Sequence, residues 1–403
     1  MLRTRHGVTV LFALLALLLT ACAEDSSGGG GGSESAGGGG ADDGPIKIGA
    51  VLDITGAGAS LGVPERQTLE LLTERLNADG GIDGRPVELL VEDNQSAEDA
   101  AARAIGQLIN QDKVDIVLGA SRTGPSLAMR PVAESSQTPM ISLAANQAIV
   151  DDAEWIFKTA QNDIVVMEDM IALAEERGWK TIGLARDASG FGEGVEETLT
   201  QLGEEAGIEV IITESFAPDA TDFTAQMVNL RDADADVNVI WGIPPAAALA
   251  QRAYSELGPS APVMQSHGIG NSVFLETAGD SADELIAPLG RLLVVDQLPD
   301  DDPQKPIIQD FIDIYSEAYD GDEPSTFAGH AYDAFQLAVQ AFTEVGTDKA
   351  AVRDYLESVD GYVGITGVFT MTPEDHSGLT NEAVVPVTIK DQDWQLLTGT
   401  AAN

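Results

Sequence analysis

Ile46-Lys47-Ile48-Gly49-Ala50-Val51-Leu52, then Gly56-Ala57-Gly58-Ala59-Ser60-Leu61-Gly62, then Leu69, Leu72 and Leu76 with charged residues between them: this opening decides the fold. The first stretch is an apolar β-type run, the second a glycine-rich turn, and the third has the spacing of one helix face. Working outward, a Gly/Asp/Asn turn at residues 78–84 leads to a strand at 87–91, a helix at 97–111 and a strand at 114–118. A helix at 125–135 and a short strand at 139–142 follow. Strands separated by helices predict βαβ units and a parallel sheet.

Near Trp155 the cycle restarts. Helices are expected at 163–177, 192–206, 223–232 and 246–257, alternating with strands at 181–185, 209–213, 237–241 and 263–265. The remainder reads as a strand at 292–296, helices at 304–319, 327–345 and 349–359, and a late strand at 384–390. A third sheet would need more strands than that. The chain of 403 residues is also longer than one core usually supports. The expectation is an α/β protein of two Rossmann-like lobes, with parallel sheets flanked by helices and a multi-strand hinge. Lobe 1 takes residues 45–160 and lobe 2 residues 161–289; residues 290–367 return to lobe 1 and 368–403 to lobe 2.

Lys plus Arg number 21 against 66 Asp plus Glu, a net charge of −45. Such a surface repels phosphate backbones and anionic headgroups, which excludes a general nucleic-acid binder and a membrane contact made through surface charge. Attachment has another source. Arg3 and Arg5 precede the apolar run 8–19, too short to span a bilayer core of about 20 residues, so residues 1–21 read as an export signal. Its end, Leu19-Thr20-Ala21-Cys22, resembles the lipobox of bacterial lipoproteins, with Cys22, the only cysteine, as the lipidated residue. Residues 22–44, rich in Gly and Ser, read as a flexible tether. The protein is expected on the outer face of the bacterial cytoplasmic membrane.

The glycine-rich turn has the pattern Gly-x-Gly-x-x-x-Gly, not the dinucleotide spacing, and no cofactor is expected. Within it, Gly58-Ala59-Ser60-Leu61-Gly62 is formally Gly-x-Ser-x-Gly. A serine hydrolase using Ser60, with His267, His330 or His376 as base, is therefore an alternative, although a nucleophile elbow needs the Ser directly between strand and helix. The four His, one of them His6, have no metal-site spacing, so no metal is expected. The loop Gly119-Ala120-Ser121-Arg122-Thr123-Gly124-Pro125 places hydroxyls and a cation before a helix, whose free N–H groups attract carboxylate or phosphate. Capping by Ser121 or Thr123 is the plainer alternative. Small residues at Ser142-Leu143-Ala144-Ala145-Asn146 let a second loop approach the same anion.

At these loops the sequence resembles the branched-chain amino-acid (leucine/isoleucine/valine-binding) type of ABC-transporter substrate-binding lipoprotein, which has the periplasmic binding protein type I fold. The resemblance rests on ordered features: Ile46-Lys47-Ile48-Gly49, Leu76-Asn77-Ala78-Asp79-Gly80-Gly81-Ile82-Asp83-Gly84-Arg85, Glu92-Asp93-Asn94, Pro139-Met140-Ile141-Ser142, Phe157-Lys158-Thr159 and Phe191-Gly192-Glu193-Gly194. It implies a hinged, non-enzymatic and monomeric receptor that closes on a small solute and presents it to an ABC permease. The family's carboxylate hydroxyl falls on Thr123, beside Ser121 and Arg122. Its second loop falls on Ala144, Ala145 and Asn146, its first-loop aromatic near Leu61, and its second-lobe Tyr on Phe191. Ile243 stands in a stretch where the family has Tyr. The acid that pairs with the ligand's ammonium falls on His267. A neutral imidazole does not neutralise an ammonium, so a small carboxylate or amide with an apolar body is expected in place of leucine. A sensor domain of the same fold is a further alternative.

Overall fold

The computed structural model describes residues 44–397. Five parallel strands come first: β1 (Ile46–Leu52), β2 (Val87–Asp93), β3 (Ile116–Gly119), β4 (Met140–Ser142) and β5 (Ile156–Lys158). Between them run α1 (Ala59–Ala78), α2 (Glu98–Gln107) and α3 (Thr123–Ser136). The second set is α4 (Asp163–Arg177), β6 (Thr181–Asp187), α5 (Val195–Ala206), β7 (Glu209–Phe216), α6 (Thr224–Asp232) and β8 (Val237–Trp241). It continues through α7 (Ala246–Ser255), β9 (Val263–Gln265), α8 (Ser272–Ala278) and β10 (Ile286–Leu289). After these come α9 (Lys305–Ala318), α10 (Thr326–Val345), α11 (Lys349–Leu356), β11 (Asp360–Val363), β12 (Val368–Thr370), β13 (Val385–Lys390) and β14 (Asp393–Leu396).

The first sheet has the order β2-β1-β3-β4-β5, and the second β14-β13-β10-β9-β8-β6-β7. Within these two sheets all pairs are parallel except those of β13, which is antiparallel to β10 and β14, while β11 and β12 pair antiparallel in a separate ribbon. The chain reverses its direction of travel at β1/β3 and again at β6/β8. In open α/β sheets, the crevice beyond the strands' carboxyl ends at such a reversal is where ligands bind.

The first core is β-branched and Leu side chains of β1 and β3 under α1 and α10. On α10, Ala331, Ala334, Ala338 and Ala341 form one buried face at helical spacing; small residues there let the helix lie close to its neighbours. The α/β class and the two lobes are as the sequence predicts. Two details differ. Residues 292–296 are not a strand but part of the 3-10 segment Arg291–Gln297, broken at Val294. The return to the second sheet does not begin at 368: Phe369, Met371, Leu379 and Ala383 are buried in the first core, and the chain rejoins the second sheet at β13 and β14.

Candidate functional site

Asp53 follows β1 and is fully buried. Its carboxylate accepts from Asn94 Nδ2 at 2.7 Å and pairs with the Arg122 guanidinium. Arg122 Nη2 also donates to the Ser96 carbonyl at 2.6 Å, so the guanidinium is tied at both ends to its own lobe. The glycines of the first turn serve this packing. A Cβ on Gly58 would sit 2.4 Å from Asp53 Oδ2, and one on Gly62 2.4 Å from the Asp53 carbonyl. The Asp53 N–H donates to Ser121 Oγ at 3.0 Å, and the Ser121 hydroxyl donates to Glu65. Ser121 therefore braces the loop.

Glu65 is fully buried, and burial holds its carboxyl well above the usual range; the Ser121 hydrogen bond opposes this, and the Asp53 charge adds to it. The unfolded carboxyl ionises near about 4.3. A raised folded value means that this group's contribution is whole below that pH and is lost as pH rises through the folded value. Glu65→Gln does not titrate. Its urea midpoint should therefore gain on the wild type between pH 5 and pH 8, and a constant difference would contradict the buried protonated acid.

Thr123 opens α3. Its Oγ1 is buried with no hydrogen-bond partner, and the helix receives no side-chain cap. From the other lobe come Phe191 after β6, Ile243 after β8 and His267 after β9. The Phe191 carbonyl accepts from Trp241 Nε1 at 3.1 Å, and the His267 ring lies 5.5 Å from Phe191 and 5.8 Å from Trp241 between centroids. Burial, then the charges of His330 and Lys158, push the His267 imidazole down to about 3, so it is neutral at pH 7. His330, on α10, is likewise pushed down to about 3, by burial and then by Lys158.

One cavity between the sheets is lined by Leu61, Ser121, Arg122, Thr123, Ala144, Ala145, Phe191, Ile243 and His267, nine of the ten residues expected to bind. Asn146 is the correction. It is not in the lining: its Oδ1 caps a 3-10 turn by accepting from Ala148 N at 2.9 Å, and its Nδ2 donates to the Gly190 carbonyl at 3.4 Å. Sequence reasoning did not assign Leu143, Ala160, Ser189, Gly268, Phe327 and His330 to this lining. Phe327 and His330 arrive on a helix that returns after the second lobe, and no local pattern marks them. No Asp or Glu is in the lining. The cavity holds about 30 Å³. The lobes touch beside it, with Ser60 Oγ donating to the Pro244 carbonyl at 3.2 Å.

That bond also bears on hydrolysis, since the Ser60 hydroxyl bonds to a carbonyl and not to an imidazole. Among the described residues no group of His, Cys, Asp and Glu converges on a metal position, and no helix is long and apolar enough to cross a membrane. Cys22 and the apolar run before it lie outside the described residues.

Two α/β lobes enclosing an apolar cavity with a few inward polar groups define a solute-binding receptor. The chain matches the periplasmic binding protein family over residues 45–393 and belongs to it. It is 26% identical to the "Leucine-, isoleucine-, valine-, threonine-, and alanine-binding protein" of Pseudomonas aeruginosa, over 75% of this chain and 79% of that one. It is 24% identical to the "Leu/Ile/Val-binding protein homolog 7" of Brucella abortus, over 88% and 90%. An extracellular ligand-binding receptor from Rhodopseudomonas palustris HaA2 superposes with a TM-score of 0.83 at 26% identity, covering 88% of this chain and 99% of that one. A periplasmic binding protein type 1 from Bordetella pertussis gives 0.79 at 22%, covering 88% and 99%, and shares the fold.

Proposed function

We propose that this protein captures a small carboxylate with an apolar body, or the matching amide, by closure of the two lobes, and delivers it to an ABC permease. In this reading it is a monomer, exported and held by a lipid on Cys22 at the outer face of the cytoplasmic membrane. The relatives named for leucine, isoleucine and valine support an amino acid or a close analogue as the class of solute. The observation that carries the finer reading is the lining itself: an unpartnered Thr123 hydroxyl at a helix N-terminus, beside Arg122, with no carboxylate to meet an ammonium. An unpaired ammonium in such a site costs several kcal/mol, while a carboxylate gains donors. Phe191, Ile243 and His267 come from the lobe opposite Thr123. Contacts added only on closure shift the hinge equilibrium.

A thermal-shift series of propanoate, butanoate, 3-methylbutanoate, 4-methylpentanoate and 4-methylpentanamide tests this. At least one carboxylate should raise the melting temperature. Thr123→Val should weaken that carboxylate about 10- to 100-fold, the worth of one hydrogen bond to a charged group. Hydrolysis of a nitrophenyl ester, abolished by Ser60→Ala, would instead establish the hydrolase.

A further inference from the structure

Lys158 ends β5 and is fully buried. Its backbone N–H donates to the His376 carbonyl at 3.1 Å, and its Nζ donates to the carbonyl of Ala145. Ala145 lines the cavity, so the ammonium sits directly behind the loop that a solute would touch. Three carboxylates act on it from outside: Asp163 at the start of α4, Asp375 in the turn after β12, and Asp151. Only Asp163 is buried, and its Oδ1 already accepts from the N–H groups of Gln147 and Ile164. Asp375 Oδ1 accepts from Ser377 and Gly378. None of the ion pairs among the described residues includes Lys158. Its charge disfavours protonation of two imidazoles of the cavity lining, His267 and His330.

A buried cation without a close counter-ion is costly, and an apolar side chain of the same length would avoid that cost. The charge lies behind the point where the first lobe's second loop meets the cavity, and an anionic solute there would add a counter-charge to that of the three aspartates. We infer that Lys158 is the fixed charge that makes the cleft select a carboxylate, acting from behind Ala145 without touching the solute. This rests on the carboxylate reading of the site. Lys158 is a positioning residue for the potential in the cavity, and Thr123 makes the contact. Without a solute, burial lowers the ammonium to about 8, against the opposing pull of Asp163, Asp375 and Asp151. An anion in the cavity stabilises the charged form and raises that value. Carboxylate capture above pH 8 therefore takes up a proton, and affinity falls as pH rises through 8. A neutral amide has no such dependence. His267 and His330 titrate far below this window.

Calorimetric titration with 4-methylpentanoate and 4-methylpentanamide from pH 6.5 to 9.5 tests the assignment on the full chain. For the wild type, carboxylate affinity should fall about tenfold over the upper half of that range, with amide affinity flat. Lys158→Met should bind the carboxylate about tenfold more weakly at pH 7, lose the pH dependence and keep its amide affinity. Lys158→Arg keeps the charge and cannot titrate, so it should restore carboxylate affinity and leave the profile flat. Equal weakening of both solutes by Lys158→Met, or a flat wild-type carboxylate profile, overturns the assignment. A wild type that binds no carboxylate at any pH removes the reading of the site, and the assignment with it.

Discussion

His267→Glu is expected to turn the cleft into one that holds leucine. His267 stands at the position where the resembled family carries its ammonium-binding acid, and the structure places it in the cavity lining, against Phe191 and Trp241. A glutamate there ionises when an ammonium arrives beside it, and the Lys158 charge favours the same ionised form. A buried pair of that kind is worth about 3–5 kcal/mol relative to leaving one partner unpaired. Leucine should therefore gain at least about 100-fold in affinity, at 1.4 kcal/mol per tenfold. The same substitution sets two carboxylates in one cavity when 4-methylpentanoate enters, and should weaken that solute by a similar factor. Calorimetry on the variant reads both changes. If neither solute changes its affinity, His267 does not face the solute's α-carbon and the account of specificity fails.

The second large effect concerns stability. Asp333 on α10 is fully buried and holds the turn that follows β11. Its Oδ1 accepts from the Ile365 N–H at 2.8 Å, and its Oδ2 from the Thr366 N–H at 2.7 Å and the Thr366 hydroxyl. Gln304 Nε2 reaches the Gly364 and Ile365 carbonyls, both at 2.9 Å, and Gln161 Nε2 reaches the Thr366 carbonyl at 2.9 Å. Gln161 lies between β5 and α4, where the chain leaves the first sheet for the second, so this turn is fastened to a connection between the lobes. Asp333→Ala leaves three buried donors without an acceptor, each worth about 1–3 kcal/mol, and should cost about 4 kcal/mol or more. Burial raises the Asp333 carboxyl to about 6, against the pull of Thr366 and Ile365. The unfolded carboxyl titrates near about 3.9, so the wild-type contribution is whole below that pH and shrinks as pH rises through 6. The penalty measured by denaturant midpoints should accordingly be larger at pH 4 than at pH 7. A loss under 1 kcal/mol at both would contradict the role given to this carboxylate.

Much of the fold was legible because its periods are clean. β1, β3 and β8 are short β-rich runs, and the helices between them carry apolar residues at i, i+3 and i+4. β10 was not legible: Pro288 lies in the strand, paired opposite Pro386 of β13. A proline normally argues against a paired strand, and most of the pairing comes from the antiparallel partner, nearly a hundred residues later. The apolar run 292–295 reads as a strand, yet Gly290 ahead of it and the break at Val294 wind it into a 3-10 turn. In the site, residues directly after strands were legible because topology alone carries them to the crevice. Thr123, Phe191, Ile243 and His267 are of this kind. Asn146 was misread because its side chain serves its own backbone, a local competition common for asparagine. His330 and Phe327 depend on the return of α10 to the first lobe, which no local spacing encodes.

The most direct test is a matched pair of titrations on the wild-type protein at pH 7: leucine, and 4-methylpentanoate, which is leucine without its ammonium group. Saturable binding of 4-methylpentanoate is expected, with an affinity at least about tenfold higher than that of leucine, because the lining offers donors to the carboxylate and no acidic side chain to the ammonium. Tighter binding of leucine would contradict it.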